Sequence, residues 1–299
     1  MFLAPLLPWA RALRVHQWLK NLLLFVPLVA AHQLTDANAW FVLMLALLSF
    51  SLCASSVYIS NDLLDLASDR LHPRKQQRPF ACGQIPIWAG LVLAPLLLLI
   101  SLGLGVCVNN GFLTWLLFYF LVSCVYSLAL KRLILVDCLA LAILYTMRII
   151  AGAAAVSIML SFWLLAFSVF LFLSLAFVKR YSELKVQHTH SEDKLHGRGY
   201  YVSDAPLIQT FGVSSGYASV VVLAFYLNSN AVLTLYKTPE CIWGAVPILL
   251  FWISWMWMQA HRGKMHDDPL LFAIRDRASL FAGSVFVGVM GLGTLGFPW

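Results

Sequence analysis

Nine apolar runs, each close to the length needed to cross a bilayer, take up most of this 299-residue chain. A hydrocarbon core about 30 Å thick needs roughly 20 apolar residues in a helix. Helices satisfy their backbone hydrogen bonds internally, which lipid requires. These conditions predict an all-α integral membrane protein of nine membrane-spanning helices. The predicted spans are residues 18–35, 39–61, 86–108, 112–130, 133–157, 160–179, 208–228, 242–260 and 279–297.

The composition agrees with burial in a bilayer. Hydrophobic residues make up 61% of the chain and charged residues only 11%, whereas soluble domains carry about 25% charged residues. No linker, repeat or extra polar domain separates the spans. We therefore predict one transmembrane domain over residues 1–299.

The basic residues predict an orientation. Of the twenty Lys and Arg residues, all but Arg148 and Lys237 lie in five clusters that face one side of the predicted membrane. Because basic residues collect on the cytoplasmic side, we expect an inner (plasma) membrane protein with a cytoplasmic N-terminus and an external C-terminus. The net charge of +7 is then a topology signal, and we predict no nucleic-acid partner.

The polar segment after span two carries the main chemical signal. Its acids Asp62, Asp65 and Asp69 follow Asn61 at intervals of three and four, so a helix running on from span two would place all three on one face. Crowded carboxylates repel one another unless a cation neutralises them. Oxygen ligands of this kind suit Mg²⁺, which is often shared with substrate phosphates. A solvated amphipathic helix is the alternative that spacing alone leaves open.

Three cations follow the last acid closely: Arg74, Lys75 and Arg78. Together with the acids they predict a site for a metal and a diphosphate. The predicted metal ligands, direct or through water, are Asn61, Asp62, Asp65 and Asp69. The cations are predicted to stabilise charge on a departing diphosphate.

The Asn-Asp-x-x-Asp-x-x-x-Asp motif, followed by Arg78-Pro79 and Gly83, resembles the UbiA superfamily of intramembrane polyprenyl-transferring enzymes. The resemblance implies nine helices bundled around a central cavity, with cytoplasmic cap loops after spans two and six. It also implies Mg²⁺-assisted loss of diphosphate from a prenyl donor and transfer of the prenyl group to an aromatic acceptor.

The chain departs from the usual superfamily pattern after span six. Most members have a second Asp-x-x-x-Asp motif there, whereas this chain has Lys179, Arg180, Tyr181 and Glu183. This change is expected to weaken a second metal site and to favour direct contact between basic side chains and phosphate oxygens. A basic anchor at a helix end is the alternative for Lys179 and Arg180, but it does not account for Glu183.

These residues, with Gln17, Trp18, Lys20 and Asn21 and the His-Pro-x-Lys-x-x-Arg-Pro segment, resemble the polyprenyl-phosphate phosphoribosyltransferase branch. That resemblance implies transfer of 5-phosphoribosyl from phosphoribosyl diphosphate to a polyprenyl phosphate. An aromatic prenyltransferase that uses a prenyl diphosphate is the alternative. A lipid transporter is remote, because transporters usually place their ionisable residues near the midplane.

Further candidate site residues lie near the predicted cytoplasmic ends of the spans, and one lies deeper in the membrane. Lys20 and Asn21 are placed to reach phosphate, with a snorkelling anchor as the alternative. Arg148 lies well inside span five, where a charge usually faces a cavity or a partner. Tyr126 is assigned to phosphate binding, and Tyr181 to orienting a phosphate or the ribose. The predicted catalytic residues are Asp62, Asp65, Arg78, Lys131, Arg148 and Glu183.

The last polar segment contains Asp267 and Asp268 before Pro269. Acids followed by proline are typical of a helix start, where carboxylates accept hydrogen bonds from free backbone amides. We predict that this pair begins a helix rather than binds a metal.

Overall fold

The computed structural model describes residues 6–71, 75–188, 198–229, 232, 235–265 and 268–296. Its main elements are helices. They are α1 Leu6–Ala12, a 3₁₀ helix Val15–Phe25, α2 Val26–Ala30, α3 Ala37–Leu64, α4 Leu66–Leu71, α5 Ile87–Val108, α6 Asn110–Leu128, α7 Val136–Ala155, α8 Phe162–His188, α9 Ala205–Leu227, α10 Pro239–Ile242, α11 Ala245–His261, α12 Pro269–Arg275 and α13 Arg277–Leu295.

The helices match the predicted spans closely. Within the described ranges, 8 helices are long and apolar enough to cross a membrane, and they correspond to predicted spans two to nine. The predicted first span is instead a shorter apolar segment, Val15–Ala30. The all-α membrane fold class is therefore confirmed, while the number of nine crossings stays a prediction.

The chain forms two compact units, and their boundary falls within α7. Unit 1 comprises Met1–Leu128 and Met147–Met159, and unit 2 comprises Ala129–Thr146 and Leu160–Trp299. The acidic motif belongs to unit 1, and the basic motif after span six belongs to unit 2. The single domain over residues 1–299 stays a prediction.

In unit 1, helices α3 and α5 pack through buried serines. The Ser49 hydroxyl donates to the Ser101 carbonyl at 2.8 Å, and the Ser101 hydroxyl donates back to the Ser49 carbonyl at 2.7 Å. Ser56 donates to the Ala94 carbonyl at 2.7 Å. Small residues let membrane helices approach closely, and their hydroxyls find partners that lipid cannot offer. This packing fixes α3, which carries Asp62 near its end.

The 3₁₀ helix of unit 1 is held against α3 by matched spacing. Trp18 donates to the Ser55 hydroxyl at 3.0 Å, and Asn21 donates to the Ser51 hydroxyl at 2.9 Å. Three residues of a 3₁₀ helix and four residues of an α-helix both rise about 6 Å. The two hydrogen bonds therefore repeat in register along both helices. This match favours 3₁₀ geometry between Trp18 and Asn21, within a 3₁₀ helix of 11 residues that is far longer than the usual single turn.

In unit 2, small residues bring helices α8, α9 and α11 together. The Ser174 hydroxyl donates to the Gly212 carbonyl at 2.7 Å and accepts from the Trp257 indole at 3.1 Å. A Cβ atom on Gly212 would lie 2.1 Å from the Trp257 ring, and one on Gly216 would lie 2.7 Å from Ile253. Only glycine fits such contacts. The packing holds α8, whose last turns carry the basic motif.

Candidate active site

Helix α3 stops within the acidic motif. It ends at Leu64, and its cap Asp65 has φ −89° and ψ 6°, after which the short helix α4 starts at Leu66. The expectation of one unbroken helix through all three acids was therefore wrong, because Asp65 interrupts it. The Asp65 N–H still donates to the Asn61 carbonyl and the Asp69 N–H to the Asp65 carbonyl, both at 2.9 Å, so Asp62 and Asp69 remain close enough to share one cation.

That shared cation is Arg78. Its Nη1 atom lies 3.0 Å from Asp62 Oδ1 and 2.6 Å from Asp69 Oδ2. Both acids are buried, with exposures of 2% for Asp62 and 1% for Asp69. Arg14 adds a second guanidinium, with its Nη2 atom 2.6 Å from Asp62 Oδ1. Two predicted acids and one predicted cation thus meet in one cluster, joined by an arginine that the motif did not indicate.

The second oxygen of Asp69 fits a hard cation. Asp69 Oδ1 is buried and accepts no hydrogen bond from the described residues, and the Lys75 ammonium lies 4.0 Å from it. A buried carboxylate oxygen left without a hydrogen bond is unfavourable, and a divalent cation would satisfy it. Mg²⁺ commonly uses one or two carboxylates together with water and phosphate oxygens. Asp62 and Asp69 therefore fit the ion. In the described part of the chain, no three His, Cys, Asp or Glu side chains lie close enough together to hold a metal by themselves.

The remaining predicted residues of this region are less concentrated. Asn61 donates to the Ser127 hydroxyl at 2.8 Å, and Asp65 is half-buried at the end of α3. Tyr126 is half-buried on α6 of unit 1, while Lys131 lies in a short 3₁₀ turn of unit 2. Arg74 lies outside the described residues. The roles assigned to these five residues stay predictions.

An apolar cleft of about 240 Å³ opens beside Asn61 in unit 1. Helices α3, α5 and α6 form its walls, and its apolar lining includes Leu64, Leu98, Phe120 and Leu128. Hydroxyls of Ser60 and Ser127 lie at its polar part. A hydrocarbon chain suits such a surface better than a polar ligand does.

Arg148 is buried in the interior of unit 1, with 4% exposure. Its Nε atom donates to the Asn21 side-chain oxygen at 2.9 Å, and its Nη2 atom donates to the Tyr119 hydroxyl at 3.0 Å. The guanidinium carbon also lies 5.5 Å from the centre of the Phe50 ring. Two residues selected from the sequence, Asn21 and Arg148, are thus direct partners, whereas Lys20 is half-buried on the same 3₁₀ helix.

Unit 2 contains a buried ion-pair cluster at the base of α8. Arg180 and Asp137 are both 0% exposed, and Arg180 donates to the carboxylates of Asp137 and Glu183. Arg198 lies 3.4 Å from each of the same carboxylates. Glu183 is therefore neutralised by two guanidinium groups. Arg180 therefore joins the end of α8 to the start of α7 through its contact with Asp137.

Tyr200 completes this cluster. Its hydroxyl donates to Asp137 Oδ1 at 2.5 Å and accepts the Leu135 backbone N–H at 2.7 Å. Leu135 has φ +65°, a left-handed conformation that is uncommon for a leucine. Burial first, and then the neighbouring Cys138 and Asp137, raises the pKa of Tyr200 above its ordinary value. The phenol therefore stays protonated and keeps donating to Asp137.

Replacing Tyr200 with phenylalanine is expected to destabilise unit 2 by about 1.5–3 kcal/mol, because a hydrogen bond to a charged group is lost. The pH dependence gives a second readout. Since the folded-state pKa of Tyr200 is raised, its stabilisation is fully present below the ordinary tyrosine pKa of about 10 and declines as the pH rises above it. Thermal unfolding of the purified protein between pH 7 and pH 11 measures both effects. An unchanged melting temperature and an unchanged alkaline slope would contradict this assignment.

The other basic-motif residues are held by neighbours within unit 2. The Lys179 ammonium lies 3.8 Å from Asp268, and the Tyr181 hydroxyl lies 2.9 Å from the His261 ring. Asp268 caps α12 by accepting the Leu270 backbone N–H at 3.2 Å. The predicted helix start is therefore confirmed for Asp268, while Asp267 lies outside the described residues.

Sequence reasoning assigned no site role to Arg14, Asp137 or Tyr200. Arg14 was explained by the orientation of the chain, and its partner Asp62 is 48 residues away in sequence. Asp137 alone gave a signal, because an acid at the first turn of an apolar span requires a partner. Tyr200 gave none, since its role depends on contacts between distant segments.

A family model matches most of the chain. Residues 22–281 match the model described as the UbiA prenyltransferase family. Among curated proteins, nodulation protein NoeC of Azorhizobium caulinodans is 38% identical over 92% of this chain and 90% of its own length. The uncharacterised protein y4nM of Sinorhizobium fredii is 35% identical over 94% of this chain, which spans only 55% of that longer protein.

A further relative has a stated activity. The decaprenyl-phosphate phosphoribosyltransferase of Mycolicibacterium smegmatis is 30% identical over 94% of this chain and 90% of its own length. Among solved structures, a UbiA homologue from Archaeoglobus fulgidus bound to GPP and Mg²⁺ superposes with a TM-score of 0.68. That match covers 95% of this chain and 99% of the other at 17% identity, so it shows the fold.

Proposed function

This chain belongs to the UbiA prenyltransferase family, and we propose that it transfers 5-phosphoribosyl from phosphoribosyl diphosphate to a polyprenyl phosphate and releases diphosphate. The reaction depends on Mg²⁺. The protein is a multi-pass membrane transferase, and we place its N-terminus and its reacting loops on the cytoplasmic side of the inner membrane.

The observation that carries this proposal is the set of cations around one small acidic cluster. Asp62 and Asp69 are matched by Arg14 and Arg78, with Lys75 close by. Both proposed substrates are anionic, so one metal with several cations suits them better than two acidic motifs do. The 30% identity to a decaprenyl-phosphate phosphoribosyltransferase supports the same choice of substrates.

Unit 2 supports the proposal through Glu183. Where most family members have an acidic pair, this chain has a glutamate already paired with Arg180 and Arg198. A carboxylate bound to two guanidinium groups is poorly suited to a second metal. Glu183 and Tyr181 are then left to position the ribose, and Lys179 to bind phosphate, as the sequence predicts.

The chemistry needs few proton transfers. A phosphate oxygen of the lipid attacks the anomeric carbon of phosphoribosyl diphosphate, and the bond from that carbon to the diphosphate oxygen breaks with its electron pair on diphosphate. Asp62 and Asp69, with Asn61 and Asp65, would hold Mg²⁺, which would supply Lewis-acid neutralisation of the diphosphate. Arg78, Lys75, Arg74 and Lys131 stabilise the negative charge on the leaving group.

The other predicted residues take binding or positioning roles. Lys20, Asn21 and Tyr126 bind phosphate groups, and Arg148 positions Asn21 through their hydrogen bond. Arg180 acts through Glu183 and Asp137 rather than by touching substrate. The cleft beside Asn61 is apolar, as the polyprenyl chain requires.

A direct assay with two substrate pairs tests the proposal. Purified protein is expected to form lipid-linked phosphoribose and diphosphate from phosphoribosyl diphosphate and polyprenyl phosphate, and to stop when EDTA removes Mg²⁺. It is expected to form no product from a prenyl diphosphate and an aromatic acceptor. The reverse pattern would identify an aromatic prenyltransferase of the same family, and no diphosphate release from either pair would remove the enzymatic assignment.

A further inference from the structure

Arg14 adopts a strained backbone conformation at the start of the 3₁₀ helix. Its φ is 51° and its ψ is 47°, in the left-handed region. For a residue with a Cβ atom this conformation is less stable by about 1–2 kcal/mol. Such strain persists where the surrounding structure enforces it, and it collects at functional sites.

Ser55 of α3 enforces that conformation. Its hydroxyl donates to the Leu13 carbonyl at 2.8 Å and accepts from the Trp18 indole at 3.0 Å. Ser55 is fully buried, so the hydrogen bonds on both sides of Arg14 are shielded from water. The turn aims the Arg14 side chain at α3, where its guanidinium lies 4.8 Å from the centre of the Tyr58 ring.

Arg14 shares its carboxylate oxygen with a second arginine. Asp62 Oδ1 accepts from Arg14 at 2.6 Å and from Arg78 at 3.0 Å. Arg78 also holds Asp69 at 2.6 Å, so it keeps an acidic partner if Asp62 is taken by another cation. Arg14 has no second acidic partner among the described residues, so it is the guanidinium that such an exchange leaves to find another anion.

We propose that Arg14 occupies the metal-binding oxygen of Asp62 until Mg²⁺ binds, and then turns to bind a phosphate group of the substrate. The inference rests on the proposed function, because it takes Asp62 as a metal ligand. A metal ion and a guanidinium compete for one carboxylate oxygen, since like charges repel at that distance. The released guanidinium is then a bidentate donor suited to phosphate oxygens.

This exchange predicts effects of opposite sign on two ligands. Removing the Arg14 side chain removes the competitor, so the metal alone binds more tightly. It also removes a phosphate donor, so phosphoribosyl diphosphate binds more weakly in the presence of the metal. A purely structural arginine would not produce this pairing of gain and loss, because its removal would not weaken the binding of phosphoribosyl diphosphate.

The test uses Arg14→Gly, because glycine adopts the left-handed conformation without strain and the variant is expected to fold. Arg11→Ala is the matched control, since Arg11 is an exposed arginine of the same N-terminal cluster. Mn²⁺ serves as the probe, and its binding to detergent-solubilised protein is followed by electron paramagnetic resonance. We expect Arg14→Gly to bind Mn²⁺ about 10-fold more tightly than the wild type, and phosphoribosyl diphosphate with Mn²⁺ at least about 10-fold more weakly. Arg11→Ala is expected to change neither affinity.

Two results separate this inference from the proposed function. If Arg14→Gly binds Mn²⁺ as the wild type does while Asp62→Asn loses Mn²⁺ binding, the metal site stands and the role of Arg14 is refuted. If Asp62→Asn binds Mn²⁺ like the wild type, the metal site itself is refuted. Arg14→Lys keeps the charge, so we expect its Mn²⁺ affinity to be closer to that of the wild type than to that of Arg14→Gly. If Arg14→Lys binds Mn²⁺ as tightly as Arg14→Gly does, that result would also count against the exchange.

Discussion

Asp62→Asn is expected to lower Mg²⁺-dependent turnover by about 10²–10³-fold, the scale seen when one main electrostatic group of an active site is removed. The amide keeps the size of the side chain and an oxygen acceptor for Arg14, but it loses the charge that attracts the metal. It also leaves Arg14 and Arg78 without the acid that both contact at Oδ1. The measurement is the rate of diphosphate release from phosphoribosyl diphosphate and polyprenyl phosphate across a range of Mg²⁺ concentrations.

Two further variants are compared with Asp62→Asn, one as a second test of the site and one as a control. Asp65→Asn is expected to lose metal-dependent turnover as well, because Asp65 is a predicted ligand at the end of the same helix. Asp36→Asn is the control at the opposite end of α3, where Asp36 caps the helix by accepting from Asn38 and Ala39. Asparagine caps helices about as well as aspartate, so turnover should be preserved. Near-normal turnover in a folded Asp62→Asn protein would refute the assignment of the site.

The acidic motif was predictable in its residues but not in its contacts. Residue types and spacing were sufficient to select Asp62, Asp69, Arg78 and Lys75, because few other arrangements explain so many charges beside an apolar span. The contacts that join them were not predictable from spacing, since Arg14 comes from a segment 48 residues away in sequence.

Hydropathy predicted the membrane helices well because lipid imposes one requirement along the whole chain. It was less informative for the first span, where a 3₁₀ helix is followed directly by the short helix α2 in place of one continuous α-helix. That choice depends on hydrogen bonds from Trp18 and Asn21 to serines of α3. A pairwise match between two helices leaves no mark in the hydropathy of either.

The basic motif also shows that residue types alone do not predict which residues are in contact. Its departure from the family pattern was visible in the sequence, and it pointed to phosphate contact for Lys179 and Arg180. The structure places Lys179 beside Asp268 and buries Arg180 completely. The burial of Arg180 depends on Asp137, which is 43 residues away in sequence. The residue type alone therefore did not distinguish an arginine that binds phosphate from one that stabilises the fold.

Arg180→Met is accordingly expected to destabilise the protein by about 3–5 kcal/mol, because it leaves the buried Asp137 carboxylate without its main cation. The loss is measured from thermal unfolding of the detergent-solubilised protein. Arg262→Met is the control, since Arg262 is an exposed arginine of the same unit and surface changes usually stay within about 0.5 kcal/mol.

A double-mutant cycle distinguishes an ion pair from simple loss of packing. Replacing both Asp137 with leucine and Arg180 with methionine removes the two buried charges together, and Glu183 keeps Arg198 as its partner. The double variant is therefore expected to be destabilised by less than the sum of the two single variants, by about 0.5–3 kcal/mol. Additive losses would mean that Arg180 contributes through volume alone. Arg180 holds the end of α8, where Tyr181 and Glu183 lie. A coupled loss would therefore mean that the ion pair that stabilises unit 2 also keeps these two residues in position.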